Sequence, residues 1–144
     1  MMCIPLEYSR NRLLIVTDKS ILVVDDEDDT IELARMVLEF EGYRVFSASN
    51  GQDAIDFLKS NDVKPDLILL DVLMPKMDGL EVCRWAKKQS SLKSIPILLF
   101  TAKVGKKDRI AGEEAGADAY INKPFSADDL LSLIKIHLEN TNGN

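Results

Sequence analysis

The chain has 144 residues, 46% hydrophobic and 29% charged, with a formal net charge of −6. That length suits one domain with a real core, and the acidic balance lacks the basic face that non-specific DNA binding needs. No apolar run approaches the ~18 residues of a membrane span, and Cys3 and Cys83 alone make no disulfide framework.

In chain order, residues 1–19 come first and read as a partly ordered or flexible leader. Glu7 and Arg10 interrupt it, its apolar run Leu13–Val16 is short, and no small-residue cleavage site follows. An export signal is therefore rejected, and a cytoplasmic protein is expected. Ile21–Val24 is a continuous apolar run ending in Asp25, Asp26, Glu27, Asp28 and Asp29. Continuous rather than alternating apolarity predicts a strand covered on both faces. Asp28 or Asp29 is placed to cap a helix over about 29–41, with Ile31, Ala34, Val37 and Leu38 on one stripe and Gly42 as its stop. Tyr43–Ala48 reads as a second strand. Residues 51–59 read as a short helix with Ala54, Ile55 and Leu58 inward.

Pro65-Asp66 precedes Leu67–Leu70, the most buried-looking strand, and Asp71 ends it. Pro75, Asp78 and Gly79 mark a loop, and Leu80–Lys88 a helix with Val82, Cys83 and Ala86 on one side. Ile97–Phe100 is a fourth strand ending at Thr101. Residues 104–115 form a helix that Gly112 weakens and Gly116 ends. Ala119–Asn122 is a fifth strand. After Lys123-Pro124-Phe125, Ser126 and Asp129 form a capping box for a last helix running to about Glu139, with 140–144 as a frayed tail. Five β-α units in succession predict a doubly wound, open parallel α/β sheet, helices on both faces, over residues 20–139.

Such sheets carry their sites beyond the carboxyl ends of the strands. Those ends here are Asp25, Asp26, Asp71, Thr101 and Lys123. Three carboxylates in one pocket need a cation to stay ionised together. Without a histidine or thiolate nearby, the donors are all oxygens, which selects a hard ion such as Mg²⁺, with Mn²⁺ as a substitute. The backbone carbonyl of Leu73 is placed to complete the shell. One carboxylate can then act as nucleophile toward phosphorus, with Lys123 supplying positive charge, Thr101 a hydroxyl, and the backbone N–H groups of Val72 and Ala102 further bonds. Asp71 is preferred to Asp25 or Asp26 because its strand reads as the most central and the adjacent pair suits a metal. Each residue alone has a plain structural explanation, as a cap, a turn or a surface lysine, but their joint placement does not. No glycine-rich phosphate loop is present, which argues against nucleotide hydrolysis.

The segments ILVVDDE (21–27), PDLILLDVLMPKMDGLEV (65–82), PILLFTAK (96–103) and GADAYINKPFSADDL (116–130) together resemble the receiver domain of bacterial two-component response regulators, the chemotaxis-protein-Y-like family. The resemblance covers about residues 20–139. It implies a flavodoxin-like strand order 2-1-3-4-5, phosphorylation on Asp71, and direct metal binding by Asp26 with Asp25 as its acidic neighbour. It also implies a backbone ligand from Leu73, phosphoryl contacts from Thr101 and Lys123, a cis bond between Lys123 and Pro124, and Tyr120 as an aromatic switch beside Thr101. The implied partners are a histidine kinase or histidine phosphotransfer protein and an unidentified protein target. Direct nucleic-acid binding, a membrane or separate enzymatic turnover is not expected, and the oligomeric state expected is a monomer or a weak phosphorylation-dependent dimer. The output face is the helix at 104–115, the strand at 119–122 and the last helix, near Lys103, Lys106, Lys107 and Arg109. Leu73 and Lys103 lie where a hydrolytic water would approach, and an apolar Leu73 is expected to prolong the phosphoryl group's life. Two other readings are weighed: a haloacid-dehalogenase-type phosphatase, which would want a second Asp where Leu73 stands, and an interaction module that takes no phosphate. The chain stops after the fifth helix, so it reads as a stand-alone receiver or as part of a longer protein.

Overall fold

A computed structural model describes residues 18–60, 64–102 and 105–142. The expectations for the leader up to residue 17, for Lys103 and for the last two residues lie outside that range. Five strands, β1 (Ser20–Val24), β2 (Arg44–Ala48), β3 (Leu67–Leu70), β4 (Ile97–Thr101) and β5 (Ala119–Asn122), alternate with five helices, α1 (Asp28–Phe40), α2 (Gly51–Ser60), α3 (Gly79–Lys87), α4 (Lys106–Ala115) and α5 (Ala127–Asn142). All strand pairs are parallel and their order is β2-β1-β3-β4-β5.

Successive strand residues point to opposite faces, so each continuous apolar run feeds two cores. Leu22, Val24, Ile68, Leu70, Ile97 and Leu99 pack with Ala54, Ile55 and Leu58 of α2 and Val82, Cys83 and Ala86 of α3. Ile21, Val23, Leu67, Leu69, Leu98 and Phe100 pack with Ile31, Ala34 and Leu38 of α1 and Leu130, Ile134 and Leu138 of α5. Every residue of β1, β3 and β4 is buried, whereas in the edge strands β2 and β5 only Ala48 and Ile121 are buried and the rest are partly or fully exposed. The expected two-sided coverage and helix stripes are therefore present.

Helix ends differ in detail from the sequence expectation. Glu27, not Asp28 or Asp29, is the N-cap of α1, and it makes no side-chain cap bond; the two aspartates fall in the first turn, where their charge suits the helix dipole. Asp78, expected only as part of a loop, caps α3 in a full capping box with Glu81. Gly105 caps α4, which starts at Lys106 rather than 104. The Ser126 hydroxyl accepts from the Asp129 N–H at 3.0 Å, as expected, and α5 continues to Asn142.

Candidate functional site at the carboxyl edge of the sheet

Parallel register brings the strand ends to one edge. Val24 pairs with Leu70 and Leu70 with Leu99, so Asp25 and Asp71 emerge side by side just past the central strands. Their own N–H groups extend the ladder: Asp71 donates to the Val24 carbonyl at 2.9 Å and Asp25 to the Ala48 carbonyl at 3.2 Å. Thr101 pairs with Asn122 across β4 and β5, and its carbonyl accepts from the Lys123 N–H at 3.1 Å. The Lys123-Pro124 bond is cis, matching the expectation.

Lys123 crosses to the two aspartates. Its Nζ lies 2.6 Å from Asp25 Oδ2 and 3.3 Å from Asp71 Oδ2, with Glu27 Oε1 further off at 3.9 Å. The same ammonium sits 4.9 Å from the Phe100 ring centroid, a cation–π contact. The other oxygen of each aspartate is held by backbone two residues on: Glu27 N–H to Asp25 Oδ1 at 2.8 Å, and Leu73 N–H to Asp71 Oδ1 at 3.2 Å. Asp25 is 0% exposed and Asp71 3%. Asp26 is exposed beside them.

Burial governs the electrostatics. It pushes the Asp71 carboxyl up to about 6, assisted by the Asp25 charge and opposed by Lys123 and the Leu73 N–H. Burial also raises Asp25, against the bonds from Lys123 and Glu27. For Lys123 burial works downward, but the Asp25 bond and the Asp71 charge outweigh it and hold the ammonium above its ordinary value. Two desolvated carboxylates thus share one cation, a site with an excess of negative charge.

Asp25, Asp26 and Asp71 each offer an oxygen, all within 4.8 Å of one another. That donor set fits a hard divalent cation, which would supply the missing positive charge. Thr101, at the end of β4, is fully buried, Val72 is buried, and Leu73 is 49% exposed; Ala102 is exposed. Tyr120 stands off from this cluster: its hydroxyl donates to the Asp108 carbonyl in α4, and the Arg109 guanidinium lies 5.5 Å from its ring centroid.

The family model for the response regulator receiver domain matches residues 21–135. The chain belongs to the response regulator receiver domain family. Among curated receiver relatives, it is 45% identical over 118 residues to the alkaline phosphatase synthesis transcriptional regulatory protein PhoP of Bacillus subtilis (strain 168), covering 82% of this chain and 48% of that protein. It is 44% identical over 121 residues to response regulator MprA of Mycolicibacterium vanbaalenii, covering 84% and 51%. The chain thus spans about half the length of these relatives. Among solved structures it is similar to a CheY-like receiver domain protein of Methanospirillum hungatei JF-1, with a TM-score of 0.82 at 31% identity, covering 88% of this chain and 98% of that one. It is also similar to the receiver domain of a signal transduction histidine kinase of Syntrophus aciditrophicus, with a TM-score of 0.78 at 39% identity, covering 85% and 91%.

Sequence reasoning missed two supports of this receiver site. Phe100 read simply as core, since nothing in an apolar run marks one ring as lying under an ammonium. Gly79 read as a loop breaker. A Cβ there would come 2.1 Å from the Asp71 carbonyl oxygen, so α3 can start this close to β3 only from a glycine.

Proposed function

We propose that this receiver domain, residues 20–139, accepts a phosphoryl group on Asp71 from a phosphohistidine on a histidine kinase or histidine phosphotransfer protein. An Asp71 carboxylate oxygen attacks phosphorus; the new P–O bond forms as the P–N bond breaks, and the departing imidazole nitrogen takes up a proton. The observation that carries this reading is the triad of Asp25, Asp71 and Lys123 at the switch point between β1 and β3, with Lys123 2.6 and 3.3 Å from the two carboxylates. Lys123 is placed to follow charge from the carboxylate onto the phosphoryl oxygens. The Thr101 hydroxyl and the N–H groups of Val72 and Ala102 are assigned the remaining phosphoryl oxygens. Mg²⁺, or Mn²⁺ in its place, would be held by Asp25, Asp26, Asp71 and the Leu73 carbonyl, and would neutralise phosphoryl charge. The chain's only chemistry on this reading is its own phosphorylation and dephosphorylation.

A phosphoryl group adds charge and strong acceptors at one end of the sheet, drawing on Thr101 and Lys123. α4 comes after Thr101, β5 ends just before Lys123 and α5 comes after it, so their shared face is assigned the output role, shifting between two populated states. Its readers are assigned as proteins, because the net charge of −6 disfavours direct contact of this domain with nucleic acid, and the cytoplasm is assigned as their place. No helix among the described residues is long and apolar enough to cross a membrane.

Incubation of the full chain with Mg²⁺ and acetyl phosphate, followed by intact mass, tests the reading. One added phosphoryl group is expected, absent from Asp71→Asn; no addition at saturating donor overturns it. Leu73, half-exposed beside Asp71, is assigned the role of keeping water off the acyl phosphate. Leu73→Asn should shorten the phosphoryl half-life after donor removal, and an unchanged half-life refutes that role.

A further inference from the structure

Gly112 lies in the middle of α4, where a glycine costs helix stability relative to alanine. It is buried against Tyr120. A Cβ at 112 would fall 2.4 Å from Tyr120 Cε1, 2.8 Å from its hydroxyl oxygen and 2.9 Å from Leu99 Cδ1. Real carbon contacts do not come that close, so an alanine and this position of the ring exclude one another. The ring is otherwise held by groups of the same helix: its hydroxyl on the Asp108 carbonyl and the Arg109 guanidinium over its face. Tyr120 also lines a hollow of about 390 Å³ that it shares with Asp108 and with Val72, Leu73 and Met74, the residues just after Asp71. The ring thus has a fitted seat at Gly112 and borders open space.

We propose that Gly112 is a positioning residue for Tyr120: the missing side chain makes the seat that holds the phenol ring against α4, and so sets how the ring divides its time between that seat and the space around it. The seat itself is independent of phosphorylation; its regulatory use rests on the phosphoacceptor reading above. A phosphoryl group on Asp71 then acts on a ring whose seat against α4 requires the missing side chain at Gly112.

The test uses the full chain with ¹³C-labelled tyrosine rings and the variants Gly112→Ala, Tyr120→Ala and the pair. In Gly112→Ala the Tyr120 ring signals should move toward those of an exposed tyrosine, while the amide signals of β1 and β3 stay in place. Alanine favours helix over glycine, and the Leu99 methyl can turn into space the ring leaves. Gly112→Ala should therefore raise the melting temperature in the Tyr120→Ala background and fail to raise it in the parent. With acetyl phosphate and Mg²⁺, Gly112→Ala should still gain a phosphoryl group but lose the ring shift the parent shows. Unchanged ring signals in Gly112→Ala, or the same rise in melting temperature in both backgrounds, overturn the proposal. A parent that takes no phosphoryl group overturns the phosphoacceptor reading instead, while the unphosphorylated spectra and melts still decide the seat.

Discussion

At the scale of single residues, Asp71 is held at a cost to the fold. Its carboxyl rises from 3.8 to about 6 because burial and the Asp25 charge outweigh Lys123. The folded state therefore holds this proton more tightly than the unfolded chain does. On this account stability is fully present below 3.8 and is lost as pH rises toward about 6. At neutral pH the ionised Asp71 is a strain that a neutral, equally sized side chain would relieve. Asp71→Asn is expected to stabilise the metal-free protein at pH 7 by roughly 1–3 kcal/mol, the upper end being the full worth of the shift. Urea denaturation with and without Mg²⁺ checks this: the gain should shrink with the metal, because a cation bound to the parent relieves the same repulsion. Asp25, Asp71 and Thr101 were legible in the sequence because each directly follows an apolar run, and Lys123 because it directly follows the fifth strand. The Lys123 contact with the Phe100 ring was not, since strand periodicity fixes the face of a ring and not what passes over it.

At the scale of elements, the start of α3 decides how well the site is built. Asp78 and Glu81 close a capping box, and Gly79 lets that first turn press on β3 while its N–H donates to the Val72 carbonyl at 3.0 Å. With the Cβ distance of 2.1 Å to the Asp71 carbonyl oxygen, Gly79→Ala must push α3 away from the strand end. Overpacking of this kind costs roughly 1–3 kcal/mol, and it moves the Asp71 backbone as well. Both the urea midpoint and the phosphorylation rate with acetyl phosphate should fall, the rate even at temperatures where the variant is fully folded. The interior strands were readable because two-sided burial confines their polar residues to the ends, Ser20 at the start of β1 and Thr101 at the end of β4. Helix starts were less so: a run of five acids offers several candidate caps, and the structure takes Glu27 without using its side chain. Gly112 shows the same gap from another direction, since helix propensity records its cost and only the packed ring of Tyr120 shows what it permits.

At the scale of the molecule, the two edges of the sheet have separate tasks. The carboxyl edge gathers Asp25, Asp71 and Lys123. The opposite edge, where β4 and β5 begin, is tied by Lys87. Its Nζ donates to the Ile95 carbonyl at 2.9 Å, the Lys93 carbonyl at 3.3 Å and Asp118 Oδ2 at 3.0 Å. Asp118 Oδ2 also accepts from the Ile97 N–H at 2.8 Å, so one lysine links the end of α3 to the starts of both strands. Gly116, at φ 100, brings the chain against the Lys87 stem, where a Cβ would come 2.8 Å from Lys87 Cγ. Lys87→Met keeps an apolar stem of similar length but removes every donor. Two carbonyls then lose their donor and Asp118 keeps only the Ile97 N–H, a loss of roughly 1–3 kcal/mol. Nothing in that clip touches Asp71, so the phosphorylation rate with acetyl phosphate should match the parent well below the melting temperature. Equal rates with a lowered urea midpoint would show the two edges to be energetically separable. A rate that falls with the midpoint would mean that the amino-terminal clip helps to hold the carboxyl-edge site in register, through the shared strands β4 and β5.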